Sequence, residues 1–219
     1  MNYLDFPRFA IYLIPDKSFT ETIFNFYNEN IEFKYNYNSI IKNGLKLKIK
    51  SFFYIDHLNN EKKLISSFLN LKNEIFFSPN INFKKITYEI KFSNGNIILE
   101  LKKNIDFDFF SKQVLRRYDE FRKVLTPSDY SIDIKRFGKL NENQTLYYQI
   151  WGYPYLFEEG KHCINILNSL KDDNENSKFL MSTLANKLKN FDTLDLSKII
   201  ICKQNIKDKV LHEIASIEL

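Results

Sequence analysis

Apolar and polar residues alternate along the chain with two different periods. The stretch GLKLKIKSFF (44–53) changes between lysine and an apolar residue at every second position, which is the pattern of a β-strand. Other stretches repeat their apolar residues at helical spacing, as Leu64, Phe68 and Leu71 do, which predicts an amphipathic helix. The predicted elements, in chain order, are strand 8–15, helix 18–33, strand 45–55, helix 59–77, a hairpin over 85–103, helices 106–125 and 141–152, strand 161–167, helix 176–190, and strands 196–205 and 210–219.

The order of these elements predicts the fold class. Strands and helices alternate in two halves around a helical centre, so we expect an α+β fold of two lobes with a cleft between them. Asn94-Gly95 is the strongest turn signal in the chain, and Ser18 is the expected N-cap of the first helix. We expect one domain over 1–219, with lobe one at about 1–105, lobe two at about 155–219, and a helical middle over 106–154.

Composition narrows the function classes only slightly. The 21 Phe and 13 Tyr indicate an aromatic core. A net charge of +5, from 32 basic and 27 acidic residues, is too small to imply nucleic-acid binding by itself. Lysine is also abundant throughout the chain, so a single surface lysine is weak support for a site.

No cofactor, metal or membrane partner is predicted. Cys163 and Cys202 lie in apolar, strand-like runs without metal-ligand spacing, which favours buried free thiols. The apolar run near the first residue is too short to span a bilayer and lacks a basic leader. We therefore expect a cytoplasmic protein.

Three segments resemble a known family. They are PRFAIYLIP (7–15), RRYDEFRKVLTPSD (116–129) and WGYPYLFEEGKHCINIL (151–167). They are similar to a family of unknown function that is associated with phosphonate metabolism. This family is a branch of the LigT-like two-histidine (2H) phosphoesterase superfamily. The resemblance implies two pseudo-symmetric β-sheet lobes with flanking helices around a central cleft, each lobe offering one H-x-T or H-x-S strand. In active members one imidazole is the general base and the other protonates the leaving oxygen of a cyclic phosphodiester or RNA end.

The residues at these two motifs depart from the family pattern. In the first, Lys46 takes the place of the histidine and Lys48 that of the threonine. In the second, His162 matches the histidine but Ile164 replaces the threonine. The three histidines are His57, His162 and His212, and none begins an H-x-T or H-x-S. Lysine is a poor base because its pKa is about 10.4, and losing one proton-transfer group costs about 10²–10⁴-fold in rate.

The resemblance therefore leads to a hypothesis with alternatives. We expect a pseudoenzyme that binds a phosphorylated sugar, nucleotide or RNA end, with Lys46 and Lys48 on the phosphate and His162 as the candidate catalytic residue. Both lysines also fit ordinary substitution in a lysine-rich chain, and His162 also fits a plain strand histidine.

One alternative is an altered cyclic phosphodiesterase with Lys46 as electrophile and His162 as the lone acid/base. Another is a structural or protein-interaction role in which aromatic residues such as Phe52 and Phe53 close the cleft. A pair between His162 and Cys163 is not expected, because neighbouring strand residues face opposite sides.

Overall fold

Five α-helices and eight strands account for most of the described chain. The computed structural model describes residues 7–30, 43–55, 58–73, 82–124, 126–128, 131, 135, 137–157, 161–168, 174–205 and 210–219. The strands are β1 (Arg8–Pro15), β2 (Leu47–Tyr54), β3 (Lys85–Ile86), β4 (Tyr88–Ser93), β5 (Asn96–Leu101), β6 (Cys163–Leu167), β7 (Leu194–Gln204) and β8 (Leu211–Glu218). The helices are α1 (Lys17–Glu29), α2 (Leu58–Leu69), α3 (Ile105–Asp119), α4 (Glu142–Trp151) and α5 (Asn174–Leu188), and a 3₁₀ turn (Asn70–Asn73) follows α2.

The strands form two antiparallel sheets. The larger sheet has the order β2-β1-β7-β3, and β8 pairs with β7 along the same edge as β3. The smaller sheet has the order β4-β5-β6. The predicted α+β class and the bilobal arrangement of two sheets with flanking helices are thus confirmed.

Each sheet takes strands from both halves of the chain. The larger sheet joins β1 and β2 to β7 and β8, and the smaller sheet joins β4 and β5 to β6. The sheets therefore do not follow the lobe bounds predicted at about 1–105 and 155–219, because the pairing of β1 with β7 brings the two ends of the sequence into one sheet. A single domain over 1–219 stays a prediction.

Local sequence explains where the elements begin and turn. Asn94 and Gly95 both have positive φ angles, 50° and 72°, as the predicted two-residue hairpin turn requires. The backbone N–H of Phe19 donates to Asp16 Oδ1 at 2.9 Å, so Asp16 caps α1 and the assignment of Ser18 as the N-cap is wrong. The ends predicted for the first two helices, at 33 and 77, lie outside the described residues.

Aromatic side chains form much of the core, as the composition predicts. Phe19 of α1 is fully buried and packs edge-on against two rings. One belongs to Tyr88 in β4 of the smaller sheet, and the other to Phe191, shortly before β7 of the larger sheet. The Tyr27 hydroxyl, also buried, donates to the Ile166 carbonyl at 2.9 Å. The other fully buried aromatic residues include Phe9, Phe26, Phe68, Phe83, Phe107, Phe110, Tyr118 and Tyr148.

Candidate functional site

A cavity of about 760 Å³ lies between the two sheets. Lys46 and Lys48 line it from the larger sheet's side, and His162 lines it from the start of β6. Helix α3 and the segment 153–157 supply further walls. The three site residues singled out in the sequence thus reach one cavity from two different sheets, and their chemical roles stay predictions.

A β-bulge in β2 separates the lysines of GLKLKIKSFF. Tyr12 of β1 pairs with Lys48, but its neighbour Ile11 pairs with Lys50, so β2 has one extra residue at this point. Lys48 consequently faces the cavity, whereas Lys50 is 4 % exposed and forms an ion pair with Asp119 at 3.2 Å. Simple alternation would place Lys46, Lys48 and Lys50 on one face of the strand, and it fails for Lys50 because it carries no mark of a bulge.

The second motif is also turned by one residue from the predicted orientation. Cys163 and Asn165 line the cavity, while Ile164 is 1 % exposed and belongs to the core. His162 also lines the cavity, and its carbonyl accepts from the Leu101 N–H at 2.9 Å, which continues the pairing of β5 with β6 one residue before Cys163. The expectation that His162 and Cys163 face opposite sides stays a prediction. Asn165, and not Ile164, lines the cavity.

His162 is held by three neighbours. Its imidazole hydrogen-bonds to the main chain of Lys48, and the Phe107 ring packs edge-on against it with centroids 4.9 Å apart. Burial lowers the pKa of His162 below 6.5, while the nearby Asp108 carboxylate and the bond to Lys48 partly oppose that shift. At neutral pH the imidazole is therefore uncharged, with one nitrogen directed to a main-chain acceptor.

This burial has a consequence for stability that distinguishes His162 from a solvent-exposed histidine. Unfolding frees the imidazole to take up a proton below pH 6.5, so acid weakens the folded state through this residue. We expect stability to fall further between pH 7.5 and 5 in the wild type than in His162→Asn, as measured by urea unfolding. An equal fall in both proteins, or a larger one in the variant, would contradict this account.

Positive charge predominates in the cavity wall. The lining residues include six lysines and two carboxylates, namely Lys46, Lys48, Lys102, Lys103, Lys112 and Lys161 against Glu100 and Asp108. Glu100 already accepts from Lys91 at 2.8 Å and from Lys161 at 3.0 Å. The remaining excess of lysine favours an anionic ligand.

Sequence reasoning missed four of these lysines. Lys102 and Lys103 follow β5, Lys112 lies on α3 and Lys161 precedes β6, so three separate segments supply them. No pattern along the sequence links these segments. Only the packing of α3 and the smaller sheet around the cavity brings them beside Lys46 and Lys48.

Aromatic residues form a second part of the wall. Tyr153, Tyr155 and Phe157 line the cavity. Tyr153 and Tyr155 pack edge-on against Phe137 and against each other, and Lys112 Nζ lies 5.8 Å from the centre of the Phe157 ring. Phe52 and Phe53 do not line the cavity: Phe53 packs against Phe9 in the core. These two rings therefore do not close the cleft.

Asp119, Lys50 and Arg122 form an ion-pair network that supports this aromatic wall. Asp119 at the end of α3 accepts from Lys50 and from Arg122 Nε at 2.9 Å. Arg122 also donates to the Ile150 carbonyl at 2.6 Å and lies against Gly152, whose φ of 71° ends α4. Any side chain at Gly152 would meet Arg122 at 3.0 Å. The two family-like segments at 116–129 and 151–167 thus contact each other directly.

Comparison with known sequences assigns the chain to a family. The chain belongs to DUF1045, a family described as proteins of unknown function, whose model matches residues 93–212. No curated protein sequence matches it significantly.

Among solved structures, the fold is similar to that of a conserved protein of unknown function, ATU0111, from Agrobacterium tumefaciens str. C58. That match has a TM-score of 0.50 at 7 % identity and covers 95 % of this chain and 84 % of that one. Usb1 from Kluyveromyces marxianus aligns at a TM-score of 0.41 and 8 % identity, over 98 % of each chain. Its structure with uridine monophosphate aligns at 0.36 and 9 %, over 100 % of this chain and 99 % of that one.

The described residues contain neither a metal-ligand cluster nor a membrane-spanning helix. No group of three or more His, Cys, Asp or Glu side chains there is arranged to hold a metal ion. Likewise, no helix in that part of the chain has the length and apolar character needed to cross a membrane.

Proposed function

We propose that this chain is a catalytically degenerate 2H-phosphoesterase-like protein whose cleft binds a phosphorylated sugar, nucleotide or RNA end. The observation that carries the proposal is that Lys46, Lys48 and His162 line one cavity although they come from different sheets. Lysine holds phosphate as a point charge, and the excess of lysine around the cavity adds to the attraction. The association with phosphonate metabolism is part of this proposal and rests on the sequence resemblance alone. The cytoplasmic location is also part of it and rests on the sequence pattern.

A second candidate is an altered phosphodiesterase. His162 is uncharged at neutral pH and lies in the same cavity as Lys46, which is the arrangement that this alternative needs. The imidazole would move the proton while the Lys46 ammonium stabilises charge on the phosphoryl oxygens. Turnover of a nucleoside 2′,3′-cyclic phosphate that disappears in His162→Ala would favour this candidate over the pseudoenzyme.

The proposal is tested by calorimetric titration with a nucleoside 2′,3′-cyclic phosphate and with ribose 5-phosphate. A hydrogen bond to a charged group contributes about 1.5–3 kcal/mol, so Lys46→Ala combined with Lys48→Ala should weaken binding by about 10²–10⁴-fold. Binding by the wild type should also weaken as salt is raised.

The matched control removes the same charge far from the cavity. Lys17 and Lys85 have side chains that are 89 % and 63 % exposed and do not line the cavity, so their double alanine variant should bind almost normally. If the wild type binds neither ligand, or if both double variants lose equal affinity, the phosphate-site proposal is wrong.

A further inference from the structure

Three rings at alternate positions of the segment 153–157 line the cavity, namely Tyr153, Tyr155 and Phe157. The Tyr155 side chain is well exposed for an aromatic residue in a cavity wall, since 37 % of its surface is accessible. Its contacts with Tyr153 and Phe137 are edge-on, at ring-centroid distances of 5.7 and 6.0 Å. Part of the Tyr155 ring surface is therefore open to a ligand in the cavity.

Phe157 has a backbone conformation that needs support. Its φ of 52° lies in the left-handed region, which is rare for a bulky residue and persists only where the surrounding contacts hold it. The Phe157 ring packs edge-on against Tyr147 and Trp151 of α4, with centroids 5.2 and 6.0 Å apart. Lys112 of α3 lies over the same ring, with Nζ 5.8 Å from its centre. Residues held in such conformations cluster at ligand sites, and this one brings a ring and a cation together in the cavity wall.

Arg122 fixes the other end of the segment. Its guanidinium donates to the Ile150 carbonyl at 2.6 Å. No helical N–H is available to that carbonyl, because the residue four positions further on is Pro154. Arg122 also fills the space beside Gly152, where a Cβ would lie 3.0 Å from the Arg122 side chain. The chain therefore leaves α4 in a fixed direction, so that the rings of 153–157 are positioned before a ligand binds.

We propose that the segment 153–157 is a nucleobase-binding wall, held in place by Arg122, and that the ligand of the cleft is a nucleotide and not a simple sugar phosphate. A base stacks on aromatic side chains whatever its identity, because every base has a π-face. A sugar phosphate offers the same phosphate to the lysines but no flat surface to the rings. The cavity volume of about 760 Å³ lies within the range of small-molecule sites, about 300–1,000 Å³. The inference rests on the proposed phosphate site and narrows its ligand class.

Calorimetric titration with adenosine 5′-monophosphate and with ribose 5-phosphate tests the wall, because these ligands share the ribose and the phosphate and differ in the base. One stacked base changes affinity by about 5–150-fold, so the wild type should bind the nucleotide tighter by that factor. Tyr155→Ala should lose most of this preference and bind ribose 5-phosphate as before, while Tyr155→Phe should keep the preference. Phe179→Ala removes an exposed ring of α5 that does not line the cavity, and it should change neither affinity.

Arg122→Lys tests the positioning role. Lysine keeps the charge but lacks the planar fork with which arginine contacts Asp119 and the Ile150 carbonyl together. The preference for the nucleotide should therefore fall toward that of Tyr155→Ala, while ribose 5-phosphate binds as it does to the wild type. An equal loss of affinity for both ligands would mean that Arg122 does not position the wall, and would overturn that part of the inference.

The outcomes also separate this inference from the proposed function. Equal affinity of the wild type for the two ligands overturns the nucleobase wall and leaves the phosphate site standing. A preference for the nucleotide that persists in Tyr155→Ala overturns the wall as well, because the base is then held elsewhere. Binding of neither ligand by the wild type overturns both proposals together.

Discussion

Replacement of Asp119 by asparagine is expected to lower the free energy of unfolding by about 3–5 kcal/mol. The Asp119 carboxylate accepts hydrogen bonds from both Lys50 and Arg122, and Lys50 is 4 % exposed. Burial lowers the pKa of Lys50 to about 8, so the amine is still mostly charged at pH 7. The variant would leave that buried charge without its carboxylate, which is the situation that makes broken buried ion pairs costly.

Two further variants show whether the cost arises from the unpaired charge. Lys50→Met removes the buried cation but leaves Asp119 paired with Arg122, so we expect a small change or a gain in stability. Glu21→Gln removes an exposed i,i+4 pair with Lys17 and should change stability by less than about 1 kcal/mol. Urea unfolding at pH 7 measures all three, and a loss in Asp119→Asn no larger than in Glu21→Gln would refute the account.

Local sequence pattern predicts the helices, strands and turns better than it predicts how they are arranged. Turn chemistry at Asn94-Gly95 depends on two adjacent residues, and the structure confirms it. The pairing of β1 with β7 joins residues nearly two hundred positions apart, for example Arg8 with Gln204. Such a pairing depends on which apolar faces meet in the folded core, and hydrophobic period along one segment carries no information about its partner.

The sequence resemblance singled out three residues that line one cavity, but not the orientation of their neighbours. Resemblance brought Lys46, Lys48 and His162 together, and all three line one cavity. The bulge beside Lys48 shifts alternation in β2 by one residue, which hid the burial of Lys50, and in β6 it is Asn165 rather than Ile164 that lines the cavity. Both features depend on hydrogen bonds to neighbouring strands, so strand alternation alone misassigns these side chains.

Replacement of Phe107 by alanine is expected to destabilise the protein and to change the titration of His162. Phe107 is 2 % exposed and packs edge-on against the imidazole, so its truncation should cost about 3–5 kcal/mol. Water admitted to the space would weaken the desolvation that lowers the pKa of His162, and that pKa should rise toward 6.5. NMR titration of the imidazole measures the change in the pKa of His162. Phe107→Leu keeps most of the apolar volume and should stay folded, and we expect a smaller rise of that pKa in it.

Phe110→Ala separates the two consequences because it lies one turn away on the same helix. Phe110 is fully buried, stacks on Phe83 with centroids 3.9 Å apart, and does not line the cavity. It should therefore lose a similar free energy of unfolding, about 3–5 kcal/mol, while the pKa of His162 stays as in the wild type. If both variants shift the imidazole equally, general loosening of α3 is the cause; if neither does, contact with Phe107 is not what keeps water from His162.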